Sequence, residues 1–170
     1  MAEASTFSKG EWIVHHYYGV GQVRGVETKE LDGEKSKYYR VKTRNSMFWV
    51  PVDSEENDRL RPLSSPSEIK KVIRVLKREP KEMDSDHMAR KKLIRDVLGD
   101  GSLEDIARLI RDLSARQFLS KLNPTEEDAL KRFKERLLRE WAVCMETDVD
   151  DIKARFQDHL QKSLAKVAPA

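Results

Sequence analysis

The chain has 170 residues, 38% of them hydrophobic and 37% charged, which suits one ordinary domain or two small ones with a heavily charged surface. No apolar run approaches the roughly 18–20 residues that a bilayer-spanning helix needs, and the opening segment lacks the basic-then-apolar pattern of a secretory signal. The single cysteine, Cys144, excludes a disulfide framework and any multi-cysteine zinc site.

The net charge of +3 is small, but it is unevenly placed. Residues 1–65 carry ten Lys/Arg against ten Asp/Glu, and residues 66–95 carry ten against five. Residues 96–170 carry thirteen against fifteen, so the positive excess sits in one central block of the chain. A local basic block is either a solvated helix face or the footprint of a nucleic-acid contact.

In chain order, the first sixty residues follow a strand grammar. Trp12-Ile13-Val14 opens an apolar run that reaches Tyr17-Tyr18 and breaks at Gly19-Val20-Gly21. Residues 22–30 alternate around Val23 and Val26, and Asp32-Gly33 supplies one of the stronger short hairpin signals before the return strand Lys37-Tyr38-Tyr39-Arg40-Val41-Lys42. Arg44-Asn45-Ser46 turns into Met47-Phe48-Trp49-Val50, closed by Pro51, and a short fifth strand is expected near Leu60 to Leu63. Four or five such strands make a small, strongly bent antiparallel barrel.

From Ser65 onward the grammar is helical. Ser65-Pro66-Ser67-Glu68 reads as cap, first turn and third position, followed by Ile69, Val72, Ile73 and Leu76 at helical spacing. Asp84-Ser85-Asp86 caps a second helix whose apolar set is Met88, Leu93, Ile94, Val97 and Leu98. Further start signals stand at Ser102 to Asp105, Asn123 to Glu126 and Thr147 to Asp150, each before an apolar helical stripe. The expected fold class is therefore α+β with two domains. Residues 1–64 form the β-barrel and residues 65–170 an all-α domain of about five helices.

Catalytic chemistry finds little support. His15-His16 are adjacent on a strand and point to opposite faces, which disfavours a shared metal. Gly19-Val20-Gly21 precedes a strand, whereas a phosphate-binding glycine motif opens a helix. Cys144 falls on a helix's apolar stripe, as a structural thiol would. No enzyme activity, cofactor or metal site is expected. A binding module fits better: with Phe48 and Val50 inside the barrel, Met47 and Trp49 become a large outward apolar pair of the kind that anchors interfaces.

Lys9-Gly10-Glu11, His15, Gly19-Val20-Gly21-Gln22-Val23, Gly33, Tyr39 and Val50-Pro51 resemble the Tudor-like N-terminal domain of the CarD/CdnL family of bacterial transcription regulators, a module shared with the transcription-repair coupling factor. Leu98-Gly99-Asp100-Gly101-Ser102, Ile106-Ala107 and Ile110-Arg111-Asp112-Leu113 resemble the family's helical C-terminal domain. The resemblance implies a cytoplasmic, nucleoid-associated monomer that binds the RNA polymerase β subunit through the barrel, here through Lys29, Leu31 and Trp49, beside the Met47 read above.

It also implies that the helical domain contacts promoter DNA at the upstream edge of the transcription bubble, through the minor groove and phosphates, without reading sequence. The family's wedging tryptophan is matched here by His87, with Met88 as an adjacent apolar side chain. Arg90 and Lys92 match its phosphate-contacting positions, with Lys91 added. Two alternatives stay open: an adaptor that binds polymerase without wedging DNA, and a general nucleic-acid-binding module.

Overall fold

A computed structural model describes residues 7–52, 59–100 and 102–167. The chain divides into two compact units between Leu63 and Ser64.

The first unit is one antiparallel sheet. Its strands are β1 (Trp12–His15), β2 (Gly19–Leu31), β3 (Glu34–Lys42), β4 (Met47–Pro51) and β5 (Leu60–Pro62), in the spatial order β4-β3-β2-β1-β5. Strands β4 and β5 end the order. The Asp-Gly turn behaves as the sequence requires: Asp32 and Gly33 adopt φ of 53° and 82°, the paired positive values that let a two-residue loop match strand twist. That loop sets the register, with Leu31 opposite Glu34 and Glu27 opposite Tyr38, until a bulge between Val23 and Gly25 bends β2. Gly19-Val20-Gly21 opens β2 and is not a break in the chain's strand content. At Gly21 a Cβ would stand 2.7 Å from Val41 Cγ1 and 3.1 Å from the Lys42 carbonyl, so the close approach of β2 and β3 demands glycine.

The sheet's core is Phe7, Ile13, Val23, Tyr39, Val41, Phe48, Val50 and Leu60. The Tyr39 hydroxyl is buried with its ring and accepts from the Phe7 backbone N–H at 3.1 Å. His15 is also buried. Its Nδ1 accepts from the backbone N–H groups of Tyr17 and Tyr18 at 2.9 and 3.1 Å, and its ring packs on Tyr18 and Phe48. His15 therefore closes the β1–β2 turn.

The second unit contains α1 (Pro66–Lys77), α2 (His87–Asp100), α3 (Leu103–Leu119), α4 (Pro124–Cys144) and α5 (Val149–Leu164). The start signals in the sequence act as caps. Ser65 Oγ accepts from Glu68 N, and Ser102 with Asp105 and Asn123 with Glu126 form reciprocal capping boxes. Asp148 caps α5 through Asp150 N. Trp141, Phe133, Leu137, Ile110, Leu113, Ile152, Phe156 and Leu76 fill the core of this unit. Carbonyls at the end of α1 take side-chain donors from α3 and the α5 end. Arg111 Nη1 reaches Val75 O at 3.2 Å, Ser163 Oγ donates to Arg78 O at 2.6 Å, and Lys166 Nζ to Lys77 O at 2.9 Å.

Helix α2 departs from this pattern. Among its described side chains only Arg90 and Ile94 are buried. Met88 and Leu93, expected on its inward stripe, are exposed, because the helix is held at one side by Ile94, Val97 and Leu98 and leaves the rest of its surface to solvent.

His159 stacks on the buried Trp141 indole at 6.2 Å, and its Nδ1 is buried without a hydrogen-bond partner. Burial, followed by the charges of Lys77, Lys162 and Arg155, lowers its pKa against the opposing pull of Asp158. The unfolded chain therefore binds a proton more readily than the folded one. The stability this histidine contributes is complete above its unfolded pKa of about 6.5 and is lost as pH falls through the folded value. Chemical denaturation of the wild type and His159→Gln between pH 7 and 5 should show the steeper decline in the wild type.

Candidate functional site

The outward face of the sheet carries a connected polar and aromatic cluster. Along β4, Phe48 and Val50 enter the core while Met47 and Trp49 point out, each 40% exposed. Trp49 stands opposite Arg40, and Arg40 opposite Gly25. The indole Nε1 donates to Glu27 Oε2 at 2.9 Å, and Lys29 Nζ lies 3.7 Å from the ring centroid. Glu27 Oε1 accepts from Arg40 Nη1 at 3.0 Å. One carboxylate thus fixes the indole edge and the neighbouring guanidinium, while an ammonium covers the ring face, each a cation–π or charge-assisted contact.

Of the residues anticipated on this face, the structure brings Lys29 and Trp49 into contact. Met47 shares the strand face with Trp49, and Leu31 lies exposed at the hairpin end of β2. Glu27 and Arg40 were not anticipated. The two-residue turn contains the signal that finds them: counting outward from Leu31 opposite Glu34 places Gly25 opposite Arg40, with Glu27 on the same face.

The second cluster is the exposed side of α2. His87, Met88, Lys91 and Lys92 are all exposed, Met88 at 58%. Asp86 Oδ1 accepts from Met88 N at 3.2 Å and lies 3.9 Å from His87 Nδ1. Lys91 and Arg95 on α2 and Arg132 and Arg136 on α4 line a groove of about 230 Å³ floored by Ile94 and Phe133. Arg95, Arg132 and Arg136 join the cationic surface without having been singled out in the sequence. Arg132 lies 3.7 Å from Asp128, so part of that charge is balanced locally.

Arg90 corrects an expectation. Instead of facing a phosphate it is buried, its Nε 2.6 Å from Glu126 Oε1, and its Nη1 donates to the carbonyls of Asp84 and Ser85 at 2.9 Å. Position i+3 from His87 turns the side chain under the helix toward α4, so its charge is spent inside the fold. The segment before α2 and the start of α4 are joined through this one guanidinium.

The described residues include no group of three or more His, Cys, Asp or Glu placed to hold a metal ion. Cys144 is partly buried, and burial together with Glu140 and Glu68 pushes its thiol pKa up, which keeps the sulfur protonated and unreactive.

Compared with known proteins, residues 7–64 match the CarD-like/TRCF RID domain, which defines the class of the sheet unit. Residues 71–157 match the CarD C-terminal domain. The chain belongs to the CarD family of transcription factors, and its role is transcription regulation. Among curated relatives, "Putative transcription factor YdeB" of Bacillus subtilis (strain 168) is 25% identical over 150 residues, covering 87% of this chain and 98% of the relative.

Two consequences can be measured. Removing one member of a buried ion pair strands the other, at a cost of about 3–5 kcal/mol. Arg90→Ala and Glu126→Ala should each destabilise the chain in urea on that scale, and the double variant should fall well short of their sum. Glu27→Ala, at an exposed pair, should change stability by no more than about 1 kcal/mol. It should nevertheless make Trp49 more accessible to a fluorescence quencher.

Proposed function

We propose that the sheet unit docks on the RNA polymerase β subunit through the outward face of β2 and β4, with Trp49 as the anchor, and that the helical unit meets promoter DNA through the exposed side of α2. The observation that carries the reading is the state of Trp49: a large aromatic side chain held half-exposed in a fixed orientation by Glu27 and Lys29. A free indole on a solvated sheet loses rotamer entropy when it binds, and an indole already clamped loses less. Leu31 and Met47 widen the apolar contact, and Lys29 and Arg40 give it charge.

On the helical unit, Lys91 and Lys92 contact backbone phosphates, supported by Arg95 and the α4 arginines at the edge of the same groove. Phosphate contacts position a protein without reading base identity, so one surface serves many promoters. His87 and Met88 stand at the exposed start of α2, where His87 can hydrogen-bond in the minor groove and Met88 can press on a base step. Unstacking a step costs a few kcal/mol, and these side chains offer less area than an indole, so the wedge is a weak one. Contacts made only with melted DNA shift the closed–open equilibrium toward open by their differential affinity. The protein thereby modulates open-complex stability as a monomer on polymerase.

Co-purification and open-complex lifetimes test the two halves separately. Trp49→Ala should lose capture of polymerase while the fold is retained. The Lys91→Glu/Lys92→Glu variant should keep polymerase binding, shorten the open-complex lifetime several-fold, and lower the log–log salt slope of DNA binding by about 2. An unchanged lifetime would remove the DNA contact and leave an adaptor that acts on polymerase alone. His87→Trp should lengthen the lifetime.

A further inference from the structure

The helical unit also carries an open groove of about 1000 Å³ between the end of α3, the middle of α4, and α5. Its floor is apolar, built from Leu138, Phe156, Leu160 and Leu164, and Phe118 stands at its edge with 54% of its surface exposed. Ser114 also lines it: this residue is only 6% exposed, and its Oγ is buried without a hydrogen-bond partner. A buried hydroxyl without a partner is costly unless something completes it. Three lysines, Lys131, Lys134 and Lys153, surround this floor. The facing acids are Glu135 and Asp158, and Asp158 is 3.8 Å from Lys162. Positive charge therefore prevails around an unfilled apolar floor.

We propose that this groove is a docking site for an acidic amphipathic helix of a partner protein, its apolar side on Phe118, Leu138 and Phe156 and its carboxylates on Lys131, Lys134 and Lys153. A groove bounded by helices accepts another helix through ridges and grooves, with anchors spaced i, i+3, i+4 and i+7. Duplex DNA suits the site poorly, since phosphates would leave the apolar floor uncovered. Burial already pulls the Lys134 pKa down, and an arriving carboxylate relieves that penalty. The proposal uses neither Trp49 nor Lys91 and Lys92, so it stands or falls independently of the polymerase and promoter contacts.

The test uses the full chain and two synthetic 18-residue helical peptides. Both carry Leu and Phe at i, i+3, i+4 and i+7; one has Glu at the flanking positions, the other Lys. Fluorescence anisotropy should show binding of the acidic peptide only, with amide shifts on α3, α4 and α5. Lys131→Glu/Lys153→Glu reverses two exposed charges and should weaken binding about tenfold, a change of about 1.4 kcal/mol. Phe118→Ala should weaken it as well, with the thermal midpoint of both variants unchanged. Equal binding of the two peptides, no binding, or shifts confined to other helices would overturn the proposal. So would loss of duplex affinity in the lysine variant without loss of peptide affinity, which would make the groove a nucleic-acid surface. Self-association abolished by Phe118→Ala would assign it to a second copy of the chain.

Discussion

A buried guanidinium and carboxylate, Arg90 and Glu126, help hold the least embedded of the described helices in place. The pair lies at 2.6 Å, and Glu126 also closes the capping box of α4 while Arg90 ties down the carbonyls of Asp84 and Ser85. Helix α2 contributes only a narrow apolar edge to the core, Ile94 with Val97 and Leu98, so its position rests on a polar link as well as on packing. The arrangement leaves the rest of its face uncovered. His87, Met88, Lys91 and Lys92 are exposed together on it. Directional hydrogen bonds fix its start with few buried atoms.

The sheet unit solves a similar problem by a different route. Trp49 lies at the surface, where an indole would normally turn freely or be drawn into the core. Alternation along β4 sends Phe48 and Val50 inward and leaves Trp49 outside, and Glu27 with Lys29 then holds it. The clamp depends on register, and register depends on the turn at Asp32-Gly33, several residues away. A local backbone choice thus decides which side chains meet on a distant part of the surface.

Most of the architecture was legible in the residues. Alternation gave the inward and outward sets of β4, and Ser65, Ser102, Asn123 and Asp148 marked the helix starts because side-chain caps answer a local need of the backbone. The fates of Arg90, Met88 and Leu93 were not legible. They depend on which side of α2 meets α4, and a helix with apolar residues on more than one side does not declare that locally. The same limit hid Glu27 and Arg40, whose contacts follow from pairing across strands. It also hid Arg132 and Arg136, which reach the basic surface only after α4 packs beside α2.

Strand β4 lies at the end of the sheet order, is five residues long, and closes on Pro51. An exposed edge invites chain after chain to zip on, which is how soluble proteins begin to form fibres. Here a proline without an amide proton halts any such zipper after a few rungs. The rim is short, and it offers too little length to seed an indefinite stack.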